Sequence, residues 1–147
     1  MSSIARVQRI IKVPKSYFWK RLLKFDDIGS FLPDNIEKVE CSSNEIGSLR
    51  YITLSEITGY PGEVIERLDG ISGDSYFVYS VIDKSCLPFT NYVSCVSVKE
   101  VSSSESEVCW YSHWKADGLA ENKVQEILEG FYELIFSNAE KQYQEKN

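Results

Sequence analysis

An arginine and a glutamate stand where the sequence otherwise predicts apolar side chains. Residues 48–55 and 62–68 have the composition of two β-strands, with turn-forming residues between them. Because side chains alternate along a strand, Arg50 and Glu66 each lie on a face whose other members are aliphatic. A hairpin that joins the strands places Arg50 opposite Glu66. A charge that faces an apolar interior is costly unless an opposite charge pairs with it, so we expect an ion pair.

The predicted pair allows a structural and a functional interpretation. As a structural element it is a buried ion pair. As a site, Arg50 offers forked donors to a carbonyl, sulfenate or carboxylate oxygen, and Glu66 can remove or relay a proton. The pair then suits either the polar end of an apolar ligand or proton transfer in isomerisation, cyclisation or dehydration.

Three functions stay open from the residues alone. The first is binding of a small hydrophobic, lipid-like or polyketide-like ligand in an internal cavity. The second is a cofactor-independent enzyme with Glu66 as base and Arg50 as oxyanion stabiliser. The third is an interaction module whose interior is filled by large side chains, namely Phe18, Trp19, Trp110 and Phe131.

The composition predicts one domain over residues 1–147 and disfavours several partners. Hydrophobic residues make up 43% of the chain and aromatic residues 13%, and aromatic rings both fill cores and line pockets. The net charge of −6 makes nucleic acid and anionic membrane surfaces poor partners. We expect a small apolar ligand as the partner and a monomer or weak homodimer as the assembly.

The four cysteines and the single histidine do not form a metal-binding pattern. No two cysteines are spaced as C-x-x-C, and His113 is predicted on an outward strand face, so neither a metal nor another cofactor is expected. No apolar leader and no run long enough to span a membrane are visible. These features predict a cytoplasmic protein without membrane insertion.

The order of predicted elements indicates an α+β fold. A first strand at residues 4–13 precedes two short helices, at residues 16–25 and ending near residue 32; strands follow near 36–42, 48–55, 62–71, 74–82, 91–101 and 107–117, and a long helix runs from about 121 to 143. Short turns between successive strands imply an antiparallel sheet. The long helix carries an apolar stripe, so we expect a curved sheet of about seven strands wrapped around it.

Several aromatic residues and one glycine add to this picture. Tyr92 lies on an apolar strand face, and Trp110 and Trp114 share a face of the next strand, so all three are predicted to point inward. Gly130 interrupts the long helix. It either costs about 1 kcal/mol relative to alanine or permits a close approach to the sheet.

The chain resembles the helix-grip fold of the START and Bet v 1-like superfamily, and within it the polyketide cyclase/dehydrase and lipid-transport branch. The resemblance spans most of the chain. It is carried by Ile-Gly-Ser-Leu-Arg at 46–50, Glu-Arg-Leu at 66–68, the strand at 76–82, Leu-Pro-Phe-Thr-Asn-Tyr at 87–92, and Trp110 with Trp114.

Within that branch the chain is similar to the plant lachrymatory-factor synthases. Their Gly-x-x-Arg segment matches Gly47 to Arg50, which implies that Arg50 and Glu66 correspond to their catalytic arginine and glutamate. Tyrosines of their pocket fall on Tyr79 and Tyr92. The loop before Tyr92 differs, and it helps to shape the pocket, so the resemblance implies a site rather than that reaction. The candidate ligand-binding residues are Arg50, Glu66, Tyr79, Tyr92, Trp110, Trp114 and Phe131, of which the first two are also the candidate catalytic residues.

Overall fold

Seven antiparallel strands form one curved sheet in the computed structural model, which describes residues 3–146. The strands are β1 (Ser3–Ile11), β2 (Ile36–Cys41), β3 (Leu49–Leu54), β4 (Gly62–Ser72), β5 (Tyr76–Ile82), β6 (Phe89–Glu100) and β7 (Ser106–Ala116). Their spatial order is β1-β7-β6-β5-β4-β3-β2. From β2 to β7 each strand therefore pairs with the next one along the chain. β1 pairs with β7, so β1 and β2 are the two edge strands of the sheet.

Three α-helices accompany the sheet. They are α1 (Lys15–Leu23), α2 (Ile28–Phe31) and α3 (Glu121–Lys146), and a 3-10 turn at Phe25–Asp27 separates the first two. The predicted fold is confirmed: a strand, two short helices, six strands and a long C-terminal helix packed on the curved sheet. No helix within residues 3–146 is both long enough and apolar enough to cross a membrane.

The hairpin of β3 and β4 has the register that side-chain alternation predicts. Arg50 pairs with Glu66, and Ile52 pairs with Val64. Both aliphatic residues are buried, at 4% and 2% exposure, so this face of the hairpin is the inner one. The ion pair consequently points into the space between the sheet and α3.

A β-bulge in β6 changes which residues of that strand point inward. The pairing with β7 is irregular between Thr90 and Val93, and Asn91 has a φ of 56°. Asparagine tolerates this left-handed conformation better than most residues. Because of the extra residue, Phe89 and Tyr92 both become buried although they are three positions apart. The predicted start of this strand at residue 91 was therefore too late, since simple alternation does not connect the two rings.

The long helix α3 packs its apolar stripe on the sheet and also covers the edge of β1. Its buried residues recur at intervals of three and four: Val124, Leu128, Tyr132, Ile135, Phe136 and Ala139. Two of its carboxylates accept backbone hydrogen bonds at that edge, Glu129 from Arg6 N–H at 3.0 Å and Glu140 from Lys12 N–H at 2.9 Å. The helix thus supplies acceptors to a strand edge that has no neighbouring strand.

Gly130 of α3 is exposed, and a Cβ added there would meet no atom within 4 Å. A close approach to the sheet does not account for this glycine. We therefore expect Gly130→Ala to raise the free energy of unfolding by about 1 kcal/mol, because alanine loses less conformational freedom in a helix. Urea-induced unfolding followed by circular dichroism measures the change.

Gly62 is the control for this prediction, because an alanine there would be strained and crowded. Its φ is 141°, and an added Cβ would lie 2.8 Å from Cβ of Cys86 in the loop between β5 and β6. Gly62→Ala should therefore destabilise the protein in the same assay. A loss of stability in Gly130→Ala would show that the helix needs this glycine for a reason other than packing.

Candidate functional site

A pocket lies between the inner face of the sheet and α3. Its volume is about 80 Å³. An apolar cavity of about 150 Å³ holds one benzene molecule, so this pocket accommodates a few water molecules as it stands, and a larger ligand must displace part of the wall. Aliphatic and aromatic side chains form most of the wall, including Leu32, Ile52, Leu54, Phe89 and Leu128.

Arg50 is held rigidly in the wall of this pocket. Its Nε and Nη2 lie 2.8 and 2.7 Å from the same Glu66 oxygen, Oε1, and its Nη1 donates to the Phe25 carbonyl at 2.9 Å. The guanidinium carbon also lies 3.9 Å from the centre of the Phe25 ring and 5.1 Å from that of Tyr79. With 3% exposure, the group is fixed by contacts to β4, β5 and the turn after α1.

Some hydrogen-bond donors and one acceptor of the ion pair have no partner among the described residues. An arginine carries five N–H donors, and three of them contact Glu66 or Phe25. The second carboxylate oxygen of Glu66, Oε2, has no hydrogen-bond partner among residues 3–146. Both residues line the pocket. The pair can therefore bind an additional polar group without giving up its own contacts.

A chain of buried hydroxyl groups forms the neighbouring wall. Trp110 Nε1–H donates to the Tyr79 hydroxyl at 3.1 Å, which lies 3.0 Å from the Tyr92 hydroxyl. The Tyr92 hydroxyl lies 2.6 Å from that of Tyr132, which donates to Ser112 Oγ at 2.7 Å. The chain links β5, β6 and β7 to α3.

The direction of this chain follows from the number of protons. Each hydroxyl carries one proton, and that of Tyr132 goes to Ser112. Tyr92 must then donate to Tyr132, and Tyr79 to Tyr92. Burial, followed by the nearby tyrosines and Glu66, raises the pKa of Tyr79, Tyr92 and Tyr132 well above the usual tyrosine range. These hydroxyls are therefore protonated at neutral pH, so none of them is a base.

Six of the seven candidate residues lie together in the pocket wall. They are Arg50, Glu66, Tyr79, Tyr92, Trp110 and Phe131. Trp114 is fully buried, but it is not part of this wall, and its Nε1 has no hydrogen-bond partner within the described chain. His113 faces outward, as predicted, and pairs with Tyr111.

The sequence analysis missed Tyr132 and Ser112. Tyr132 belongs to the apolar stripe of α3, four residues after Leu128, so helical spacing marks it as more central than its neighbour Phe131. Ser112 lies between Trp110 and Trp114 on one strand face, so alternation also places it inside. Their hydrogen bond joins strand to helix, and no spacing rule predicts such a contact.

The ion pair makes Glu66 important for stability. Glu66→Ala leaves the buried guanidinium of Arg50 without its counter-charge, so we expect a loss of about 3 kcal/mol in the free energy of unfolding. Arg67→Ala is the control, since it removes the surface pair with Asp69 and should cost less than about 1 kcal/mol. Urea titrations compare the two variants. Equal losses would mean that the buried pair contributes no more than a surface pair.

The tyrosine chain predicts alkaline instability. A tyrosine whose pKa is raised on folding contributes stability below its unfolded pKa of about 10, and this contribution disappears as pH rises further. The unfolding free energy should therefore fall above about pH 10, and Tyr79, Tyr92 and Tyr132 should not ionise at 295 nm until the protein unfolds. Tyr132→Phe should weaken this pH dependence, and Tyr76→Phe, which alters an exposed ring, should not. A full ionisation of all nine tyrosines in the folded state would contradict the prediction.

Comparison with sequence families does not add to these observations. No protein-family model matches the chain. No curated protein matches it in sequence either.

Solved structures provide the comparison that sequence does not. The protein XoxI from Bacillus cereus aligns with a TM-score of 0.80 at 20% identity, covering 97% of this chain and 96% of that one. An uncharacterised protein from Bacillus thuringiensis gives 0.79 at 20% identity, with 97% and 99% covered. Norcoclaurine synthase from Thalictrum flavum, in complex with dopamine and hydroxybenzaldehyde, gives 0.72 at 14% identity, with 100% and 89% covered. The chain therefore has the helix-grip fold of Bet v 1-like proteins.

Proposed function

We propose that the protein binds a small, mainly apolar molecule, lipid-like or polyketide-like in character, in the pocket between the sheet and α3. One observation carries the proposal: in an otherwise apolar wall, the rigid pair of Arg50 and Glu66 keeps unused donors and an unused acceptor. Such a pocket buries the apolar body of a ligand, and the few polar groups fix its orientation.

The pocket favours a ligand-binding protein over an interaction module whose interior is filled by large side chains. Trp110 and Phe131 are walls of the pocket, while Phe18 and Trp19 pack elsewhere in the core. Space remains beside Arg50 after all four large side chains are placed. An interior that served only stability would gain dispersion contacts by closing this space.

The structural neighbours support the same class of ligand. Norcoclaurine synthase holds dopamine and hydroxybenzaldehyde, which are small aromatic molecules. Bet v 1-like proteins bind hydrophobic ligands. At 14% identity the likeness covers the fold, and the roles of individual residues rest on the geometry of this chain.

The proposed setting is the cytoplasm. The four cysteines, all within residues 3–146, are free thiols, and free thiols persist in reducing compartments. The acidic net charge of −6 favours a small-molecule partner over nucleic acid.

Native mass spectrometry of freshly purified protein tests the proposal. We expect a retained small molecule that is released on unfolding. After its removal, a saturating apolar ligand at a hundred times its Kd should stabilise the protein by about 2.7 kcal/mol, which a thermal melt detects. Val64→Phe enlarges a buried side chain of the pocket wall and should reduce both effects.

Two results would change the conclusion. Protein that is repeatedly empty and shows no thermal shift with any lipid-like or polyketide-like compound would contradict a binding function. Turnover of the retained molecule that stops in Glu66→Gln would instead indicate an enzyme, with Glu66 accepting a proton and Arg50 stabilising the oxyanion.

A further inference from the structure

Arg50 has two N–H donors left for a ligand. Nε donates to Glu66 Oε1, Nη2 lies 2.7 Å from the same oxygen, and one Nη1 hydrogen donates to the Phe25 carbonyl. The remaining two belong to a residue that is only 3% exposed. A buried N–H without an acceptor is costly, so a ligand with an acceptor oxygen at this point is favoured.

Glu66 provides the complementary group. Its Oε1 is occupied by Arg50, and its Oε2 has no hydrogen-bond partner within residues 3–146. The free acceptor therefore stands beside the free donors on one rigid ion pair. A ligand that uses both must carry a donor close to its acceptor.

The tyrosines offer no competing donor. The protons of Tyr79, Tyr92 and Tyr132 are all consumed within the directional chain that ends at Ser112. The indole N–H of Trp110 is consumed as well, because it donates to Tyr79. A ligand oxygen therefore finds its donors on Arg50 and not on this wall.

Charge restricts the ligand further. Arg50 and Glu66 together have no net charge, and the wall around them is mainly apolar. An anionic ligand would place a second negative charge beside Glu66, and a cationic one a second positive charge beside Arg50. Either would bury an uncompensated charge, so a neutral ligand is favoured.

We propose that the polar end of the ligand is a neutral group with an acceptor and a donor on neighbouring atoms, as in a lactam or a primary amide. Its oxygen accepts from the free N–H groups of Arg50, and its N–H donates to Glu66 Oε2. This assignment rests on the proposed binding function and specifies the chemical class of the ligand.

Five bicyclic probes of similar size test the assignment by isothermal titration calorimetry. 2-Quinolone carries the neutral acceptor and donor, and 1-methyl-2-quinolone lacks the donor. 3-Methyl-2-quinolone keeps the donor and controls for the added methyl group. 2-Naphthoate is the anion, and naphthalene has no polar group. We expect 2-quinolone and 3-methyl-2-quinolone to bind at least tenfold tighter than the other three, in line with a hydrogen bond to a charged group.

A substitution at Glu66 tests whether this residue accepts a hydrogen bond from the N–H of the ligand. In Glu66→Gln the amide oxygen faces Arg50, so an N–H replaces the acceptor that the ligand would meet. Binding of 2-quinolone should fall about tenfold relative to binding of naphthalene, which measures any general change in the pocket. Glu63→Gln is the matched control, since Glu63 is an exposed residue of the same strand and should alter neither value.

The outcomes separate this inference from the proposed function. Equal affinities for 2-quinolone and 1-methyl-2-quinolone, or tightest binding of 2-naphthoate, would overturn the neutral donor–acceptor assignment and leave a binding pocket in place. Failure of all five probes to bind would overturn the assignment, and it would overturn the binding function as well if the protein is also repeatedly empty and shows no thermal shift with any lipid-like or polyketide-like compound.

Discussion

The burial of one guanidinium group constrains much of this molecule. Arg50 satisfies its charge through Glu66 on the neighbouring strand and through the Phe25 carbonyl in the turn after α1. Removing a charge from water is tolerable only when such partners are held in place. The register of β3 against β4 and the position of the segment between α1 and α2 are therefore linked through a single side chain.

The chain of buried tyrosine hydroxyls also places polar groups in the core, but these groups are neutral. Three phenols and an indole bring apolar area into the core, and each also carries a polar atom that must be paired. They pair with one another and with Ser112, so the polar atoms need no water. The chain runs across β5, β6 and β7 to α3, and it thereby ties the long helix to the centre of the sheet.

The sequence predicts the parts of this structure that depend on alternation and helical spacing. The pairing of Arg50 with Glu66 follows from parity in one short hairpin, and the helix-grip fold follows from the order of the elements. The inward position of Phe89 does not follow, because the bulge at Asn91 breaks alternation. The bond between Tyr132 and Ser112 joins residues of different elements, and the Phe25 carbonyl is a backbone group without a side-chain signature. Such contacts depend on three-dimensional packing, which no local pattern encodes.

The carboxylates that α3 places along β1 affect how copies of this protein can meet. Glu129 and Glu140 occupy backbone donors at that end of the sheet, which leaves β2 as the other terminal strand. A sheet that grows without limit needs two open edges, so that each added copy presents a new one. Because α3 already bonds two backbone donors beside β1, strand addition is favoured at β2, where the identical edges of two copies can pair across a twofold axis. Such pairing stops at two copies, so the carboxylates of α3 disfavour filament growth through the strands.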